Sequence, residues 1–312
     1  MEATPPPNEQ NDQAASTPTT CYRHPDREAH VRCTRCDRYI CPDCMREAAV
    51  GFQCPECVSE GNREVRQART AFGGTLRQNF VPVVTYTLIG LNVLAYIAQA
   101  ALGDEFTNRF DNFGRGWIAS NGGALYEDQG YPIPGTDPAG IAHGEWWRLI
   151  TSAFLHQPPT SGIGPLHLLM NMYMLWMLGR VVEQGLGRSR YLALYLISAI
   201  GGSVLGYVIS PYQPALGASG AIFGLIGAYY LMTRRLGRPD TQFLVIGLIW
   251  LVISAGFTSW EGHLGGLLAG GATAFVFAYT PQHHRKVLHI AGPAVVLVVL
   301  VVATVIKTAS LS

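Results

Sequence analysis

Charge is what this sequence has least of. Asp, Glu, Lys and Arg make up 14% of its 312 residues and hydrophobic residues 48%, whereas a soluble globular chain carries roughly a quarter charged residues. The deficit argues against an ordinary soluble domain and for a membrane protein. What charge there is crowds into the first 80 positions and the loops, leaving stretches of about 17 to 22 residues nearly free of it. There is no basic block interleaved with aromatics, and the net charge is +1. A nucleic-acid partner is therefore not expected. The chain opens on Pro, Asn, Gln and Thr with no charged n-region and apolar core, so no signal peptide is predicted. The apolar stretches carry no run of paired acidic residues and no repeated half-structure, which argues against a transporter or channel. Glu183 and Glu261, the acidic residues near helix ends, are expected at the edges. No cysteine occurs after position 57. An odd number of cysteines in close C-x-x-C pairs suits metal thiolates in a reducing compartment better than disulfides.

The organisation follows from these shifts. Residues 1–20, with Pro5, Pro6 and Pro7, read as a disordered tail. Residues 21–60 hold the cysteines, and residues 61–80 form a linker with Arg63, Arg66, Arg69 and Arg77. That linker is either a short amphipathic helix against anionic lipid or a solvated basic segment. Seven apolar spans are predicted at 81–102, 166–184, 191–210, 218–235, 241–257, 261–280 and 289–306. The linker and the turns at Arg180/Arg188/Arg190, Arg234/Arg235/Arg238 and Arg285/Lys286 alternate with loops poor in basic residues. Basic loops stay on the cytoplasmic side, so the N-terminus is expected inside and the C-terminus outside a cell membrane. The long loop after the first span is rich in acidic residues and belongs outside, with Trp146 and Trp147 suited to the interface.

Ser219, in Gly217-Ala218-Ser219-Gly220-Ala221, opens the fourth span. Free backbone N–H groups and the positive end of the helix dipole there favour negative charge on a substrate carbonyl oxygen. His263 stands inside the sixth span, with Gly262, Gly266 and Gly270 spaced four apart. Gly220 and Gly224 repeat that spacing on the serine helix, so the two backbones can approach until imidazole reaches hydroxyl. Neutral histidine can then take the serine proton. His167 and Asn171 lie four apart on one face of the second span, where they either donate to an oxyanion or clamp two helices together.

Together these residues resemble the rhomboid family over about residues 81–280. Trp147-Arg148, ahead of Leu149 to His156, is similar to that family's tryptophan-arginine motif, and Gly179-x-x-x-Glu183-x-x-x-Gly187 to the motif closing its second helix. His167 with Asn171 resembles the oxyanion pair, Gly217-Ala218-Ser219-Gly220 the nucleophile motif, and His263-x-x-Gly266-x-x-x-Gly270 the base motif. The resemblance implies an all-α polytopic membrane protein: a six-helix core at 81–280 plus one extra C-terminal helix at 281–312. It further implies a serine endopeptidase with a Ser219–His263 dyad and no catalytic cofactor, cutting single-span or polytopic membrane proteins near the outer leaflet. The alternative is an inactive relative that binds or escorts membrane clients. Two departures stand out. Phe223 replaces the tyrosine many relatives stack under the histidine, keeping the ring without its hydroxyl, and the stretch from Gln157 to Leu166 is longer than expected. The role left for His156 is to brace that loop.

The cysteine segment reads Cys21-x-x-His24, Cys33-x-x-Cys36, Cys41-x-x-Cys44 and Cys54-x-x-Cys57. Eight ligands suffice for two structural zinc ions, and a segment of about 40 residues with so few large apolar side chains needs metal to fold. The spacing resembles a B-box-like zinc finger, which implies Cys21/His24 with Cys41/Cys44 and Cys33/Cys36 with Cys54/Cys57. A zinc ribbon of Cys41/Cys44 with Cys54/Cys57, or His30 in place of His24, is also compatible. Such closed sites are structural, and the module would meet a cytoplasmic protein partner.

Overall fold

The computed structural model describes residues 19–64, 69–74, 80–128, 131–255 and 259–311. Nearly all of the tail read at 1–20, and the linker residues Arg66 and Arg77, lie outside the described residues. The chain divides into two compact units, Met1–Gln67 and Ala68–Ser312.

The small unit pairs β1 (Val31–Arg32) with β2 (Tyr39–Ile40) and β3 (Arg46–Glu47) with β4 (Phe52–Gln53), then ends in helix α1 (Pro55–Glu64). Strands of two residues bury almost nothing by themselves. The interior is Ala29, Ile40 and six of the seven cysteines, far too little apolar surface to offset the entropy of ordering such a segment. Asp37, with φ 60°, turns the chain tightly between Cys36 and the second strand.

In the large unit, α2 (Val83–Phe110) kinks at Gly103, whose φ of 70° interrupts the helix. A loop follows in which β5 (Gly116–Ala119) pairs antiparallel with both β6 (Leu125–Glu127) and β7 (Thr136–Ala139). Then come α3 (Arg148–Thr151), α4 (Gly164–Leu186), α5 (Arg188–Ile209), α6 (Ser219–Arg235), α7 (Gln242–Ser254), α8 (Trp260–Tyr279) and α9 (Arg285–Leu311). Each of the seven predicted apolar stretches is thus helical. Three segments, Val83–Phe110, Arg188–Ile209 and Gln282–Leu311, are long and apolar enough by length and composition to cross a membrane. α7 is shorter than the predicted 241–257, having 13 residues; at a rise of 1.5 Å per residue it covers about 20 Å of a hydrocarbon layer about 30 Å thick.

The large unit has an apolar core, with Leu175, Leu194 and Leu225 fully buried, and an outer face that is apolar as well. Leu94, Leu169, Ile249 and Val298 are exposed, while Asn92, Ser198 and Thr273 are buried and each bonded to a backbone carbonyl four residues back. In water that outer face would be an aggregation surface; in hydrocarbon it is solvated. α5, α6 and α8 pack through glycines. A Cβ added at Gly266 would lie 2.5 Å from the carbonyl carbon of Gly220, and one at Gly202 2.6 Å from the Gly262 carbonyl oxygen. Only residues without side chains permit this approach. α9 lies against α5, with Tyr207 Oη and Thr308 Oγ1 2.9 Å apart.

Buried charges fix the architecture. Glu183, in the last turn of α4 as expected but fully buried, accepts from the Thr85 N–H (2.8 Å), the Thr85 hydroxyl (2.7 Å) and the Val84 N–H (3.1 Å). It meets the orphan donors and positive dipole end of α2 from a helix about 100 positions away. Glu261 is also buried and accepts from the Ser210 hydroxyl at 2.6 Å. Arg148 is wholly buried; it donates from Nη1 to Asp111 Oδ1 (2.7 Å) and the Asn108 carbonyl (2.8 Å), and from Nε to Glu145 Oε2 (2.7 Å). Two carboxylates around one guanidinium offset much of the desolvation a buried charge costs. Burial nonetheless pushes the Asp111 carboxyl up to about 7, against the pull of Arg148. Trp147, next in sequence, is half exposed and donates its indole N–H to the Arg109 carbonyl at 3.3 Å.

Candidate active site

Ser219 is the first residue of α6. The segment before it is held by the long loop: Asn112 and Ala215 exchange backbone hydrogen bonds (2.7 and 3.1 Å), and the Gly217 N–H donates to the Ser152 carbonyl at 3.0 Å. Gly217 adopts φ 131°, a conformation open to glycine and strained for other residues. The turn thereby brings the Ser219 hydroxyl to the helix N-terminus, where backbone N–H groups are free of helical partners.

His263, in the first turns of α8, places Nε2 3.0 Å from Ser219 Oγ. Its ring stacks on Phe223 with centroids 4.5 Å apart and planes 7° from parallel. Its Nδ1 lies 3.2 Å from the hydroxyl oxygen of Ser254, at the end of α7. Nothing in the sequence marked Ser254.

On α4, the Gln157 N–H donates to His167 Nδ1 at 3.2 Å. A backbone amide can only donate, so in the neutral ring the proton sits on Nε2. The same ring lies against Gly217, with Nε2 3.4 Å from where a Cβ on that glycine would stand. Asn171 donates one amide hydrogen to the His167 carbonyl at 2.8 Å, leaving the second available. His156 is wholly buried with neither ring nitrogen bonded, 5.2 Å from the His167 ring centroid. Its backbone is clamped at both ends by Gln99, which donates to the His156 carbonyl (2.7 Å) and accepts from its N–H (2.9 Å). Gln99, Asp111 and Glu145 escaped the sequence reading because each acts on a partner remote from it or hidden by burial. The loop from Gln157 closes in a turn at 158–161, and α4 starts at Gly164.

Ser219, His263, His167 and Asn171 line one cavity of about 1090 Å³, together with Trp250 and Glu261. Apolar helices surround it, yet hydroxyls, amides and imidazoles face it. The arrangement offers a hydroxyl hydrogen-bonded to an imidazole, with several N–H donors beside it. That is the equipment for acyl transfer.

The cysteines form two groups. Ligand atoms of Cys21, His24, Cys41 and Cys44 lie within 4.8 Å of one another, and so do those of Cys33, Cys36, Cys54 and Cys57. The structure therefore brings together the cross-braced pairs and not the ribbon pairing; His30 points away, 3.7 Å from Glu28. His24 Nδ1 is 3.3 Å from Cys41 Sγ and 3.4 Å from Cys44 Sγ, and Cys36 Sγ is 3.8 Å from Cys54 Sγ. A tetrahedron with metal–sulfur bonds of about 2.3 Å has edges of about 3.8 Å, so the donors fit one ion each, and they are far outside disulfide distance. Burial raises the Cys21 thiol, but backbone N–H groups of Cys41, Arg23 and His24 outweigh it and bring it down to about 6. Cys33 is brought to about 6 the same way, by Cys54, Arg35 and Cys36. Burial and the neighbouring thiols push Cys44 up to about 11 and Cys57 up to about 12, so each group, which could hold a metal ion, mixes lowered and raised thiols.

Against known proteins, the family model of the rhomboid domain matches residues 143–280. Rhomboid protease GluP of Bacillus subtilis (strain 168) is 34% identical over 200 residues, 62% of this chain and 34% of that protein. YdcA of the same strain is 35% identical over 145 residues, covering 44% of this chain and 70% of YdcA. Rhomboid protease GlpG of Salmonella choleraesuis (strain SC-B67) is 29% identical over 228 residues, 69% of this chain and 70% of that protein. The chain thus spans about a third of GluP and about two thirds of the other two.

Proposed function

The chain belongs to the rhomboid family, and we propose on that premise that it is an active intramembrane serine endopeptidase. The observation that carries this reading is the 3.0 Å contact between Ser219 Oγ and His263 Nε2 inside a largely apolar cavity into which hydroxyls, amides and imidazoles are set. Ser219 Oγ attacks the scissile carbonyl carbon while its proton passes to His263 Nε2. The carbonyl oxygen gains charge beside three donor sources: the His167 Nε2–H, the second Asn171 amide hydrogen and the N–H groups opening α6. As the tetrahedral adduct collapses, His263 returns the proton to the departing amine and Ser219 keeps the acyl group. Water then enters the cavity, gives a proton to His263 and releases the carboxylate by the reverse sequence. Phe223 holds the imidazole plane. Substrates are single-span or polytopic membrane proteins cut in or next to a transmembrane segment.

In the same reading residues 21–60 are a structural zinc module holding two ions. One is held by Cys21, His24, Cys41 and Cys44, the other by Cys33, Cys36, Cys54 and Cys57; the ions would supply folding stability, and no catalytic step involves them. Residues 81–280 are the protease core and 281–312 an added helix. The N-terminus faces the cytoplasm, where the module meets a protein partner, and the C-terminus lies outside.

The test is cleavage of a fluorogenic transmembrane substrate by the purified protein in detergent. Ser219→Ala and His263→Ala should each abolish it, and the double variant should be no worse than either, because the pair acts as a unit. Activity surviving in Ser219→Ala would remove the mechanism. An inactive wild type that still binds substrates would mark the chain as an escort of membrane clients.

A further inference from the structure

We propose that Ser254 is the positioning residue for the base, fixing the tautomer of His263 by accepting its Nδ1–H. The inference rests on the Ser219–His263 reading and goes beyond it in naming a third member on a different helix.

Ser254 is wholly buried and is the last residue of α7. Its hydroxyl has one hydrogen, and the Leu251 carbonyl lies 2.9 Å from Ser254 Oγ. The Ala255 N–H, four residues on from Leu251, bonds the Val252 carbonyl instead, and a carbonyl can only accept, so the Leu251 carbonyl takes the hydroxyl hydrogen. Ser254 Oγ then faces His263 Nδ1 at 3.2 Å with only lone pairs to offer, and the ring nitrogen must be the donor. A neutral imidazole carrying its proton on Nδ1 has a bare Nε2, directed at Ser219 Oγ 3.0 Å away. The base is thereby held ready to accept.

The alternative tautomer, with hydrogen on Nε2, would point a donor at the nucleophile and could not take its proton. His167, on α4 across the cavity, is set the opposite way: its Nδ1 accepts from the Gln157 amide, so its Nε2 donates. Two histidines in one cavity are thus given opposite tautomers by one neighbour each. When Ser219 gives up its proton the His263 ring becomes a cation, and its Nδ1–H bond to Ser254 becomes charge-assisted. Ser254 therefore assists most at the transition state. It never touches the substrate, and its loss should appear in turnover rather than in substrate binding.

The experiment compares Ser254→Thr and Ser254→Val, which have the same shape and differ in the hydroxyl, in the full chain purified in detergent. Cleavage of the fluorogenic transmembrane peptide gives kcat and KM; a fluorophosphonate that reacts directly with the serine gives nucleophile reactivity without substrate docking. We expect Ser254→Val to lose about tenfold in kcat and in fluorophosphonate rate with KM within about twofold, the size of the gain when a hydrogen bond between neutral partners becomes charge-assisted. Ser254→Thr should retain most of the activity. Ser254→Ala, which removes the hydroxyl without adding volume, should match the valine variant and decides the question should the larger residues disturb folding. Equal rates for Thr and Val, or a loss confined to KM, would overturn the proposal while leaving the dyad intact. His263→Ala with near-normal fluorophosphonate reactivity would overturn the dyad itself, and this inference with it.

Discussion

Adding one methyl group at Gly266 should separate the nucleophile from the base. A Cβ there would lie 2.5 Å from the carbonyl carbon of Gly220 and 2.9 Å from its Cα, and nearer still to the oxygen, where ordinary contact begins at 3.4 Å. All three atoms are backbone, so no rotamer change relieves the clash. α6 and α8 must instead part by at least about 1 Å, the shortfall at the carbonyl carbon. Ser219 is the residue before Gly220, and His263 sits one helical turn before Gly266 on the same face. The parting therefore acts on the 3.0 Å Ser219–His263 contact almost directly and carries it beyond hydrogen-bond range. Overpacking of this kind costs about 1–3 kcal/mol of stability, and a displacement of about 1 Å in reacting groups costs about a hundredfold in rate. Gly271→Ala is the control, because a Cβ at Gly271 meets nothing within 4 Å and alanine is favoured over glycine in a helix by about 1 kcal/mol. Thermal unfolding and cleavage rate should be measured together for both variants. We expect Gly266→Ala to melt lower and cleave about a hundredfold more slowly, and Gly271→Ala to be as stable and as active as the parent or better. A Gly266→Ala enzyme within a few fold of wild type would refute the claim that this glycine contact sets the dyad distance.

Replacing Asn171 with Ala should lower kcat by roughly a hundredfold with little change in KM, as expected for one lost oxyanion donor; an unchanged kcat would leave Asn171 as a brace on the His167 carbonyl. A reporter fused after Ser312 should be active only outside the cytoplasm and one fused before Cys21 only within it, and both signals on one side would overturn the proposed orientation. Metal analysis of the purified chain should give close to two zinc ions, falling to one in Cys33→Ser or Cys36→Ser, since each of the two ligand groups could hold one ion. A strong chelator should unfold the small unit, seen as lost protection of residues 21–57 in hydrogen exchange. A chelator-resistant fold would argue that the cysteines are not its scaffold.

What could be read from the sequence and what could not divide along the distance over which each residue acts. A helix needs only its own composition, so all seven apolar stretches were legible, as were the C-x-x-C pairs, whose spacing of three is a property of a single turn. Glycines four apart announce a close approach without naming the partner, which is why the grooves on α6 and α8 could be inferred before either was seen to face the other. Arg148 shows where that reasoning stops. Its motif was visible, but its burial was not, because the carboxylate that compensates it on one side, Asp111, is 37 residues away. A charge can be recognised from one sequence; its counter-charge cannot, since pairing across such a separation depends on how the loop folds. Glu183 shows the same limit with its sign reversed: it stands near a helix end as expected, but its burial was not legible, because the donors that satisfy it are the first amides of α2. Ser254 is the extreme case, a small residue at the end of an apolar helix with no periodicity or spacing to mark it. Its importance arises only from what stands within 3.2 Å of its hydroxyl oxygen. Residues acting on the reaction through another residue are therefore those a single sequence hides best, and hydrogen-bond direction is what exposes them.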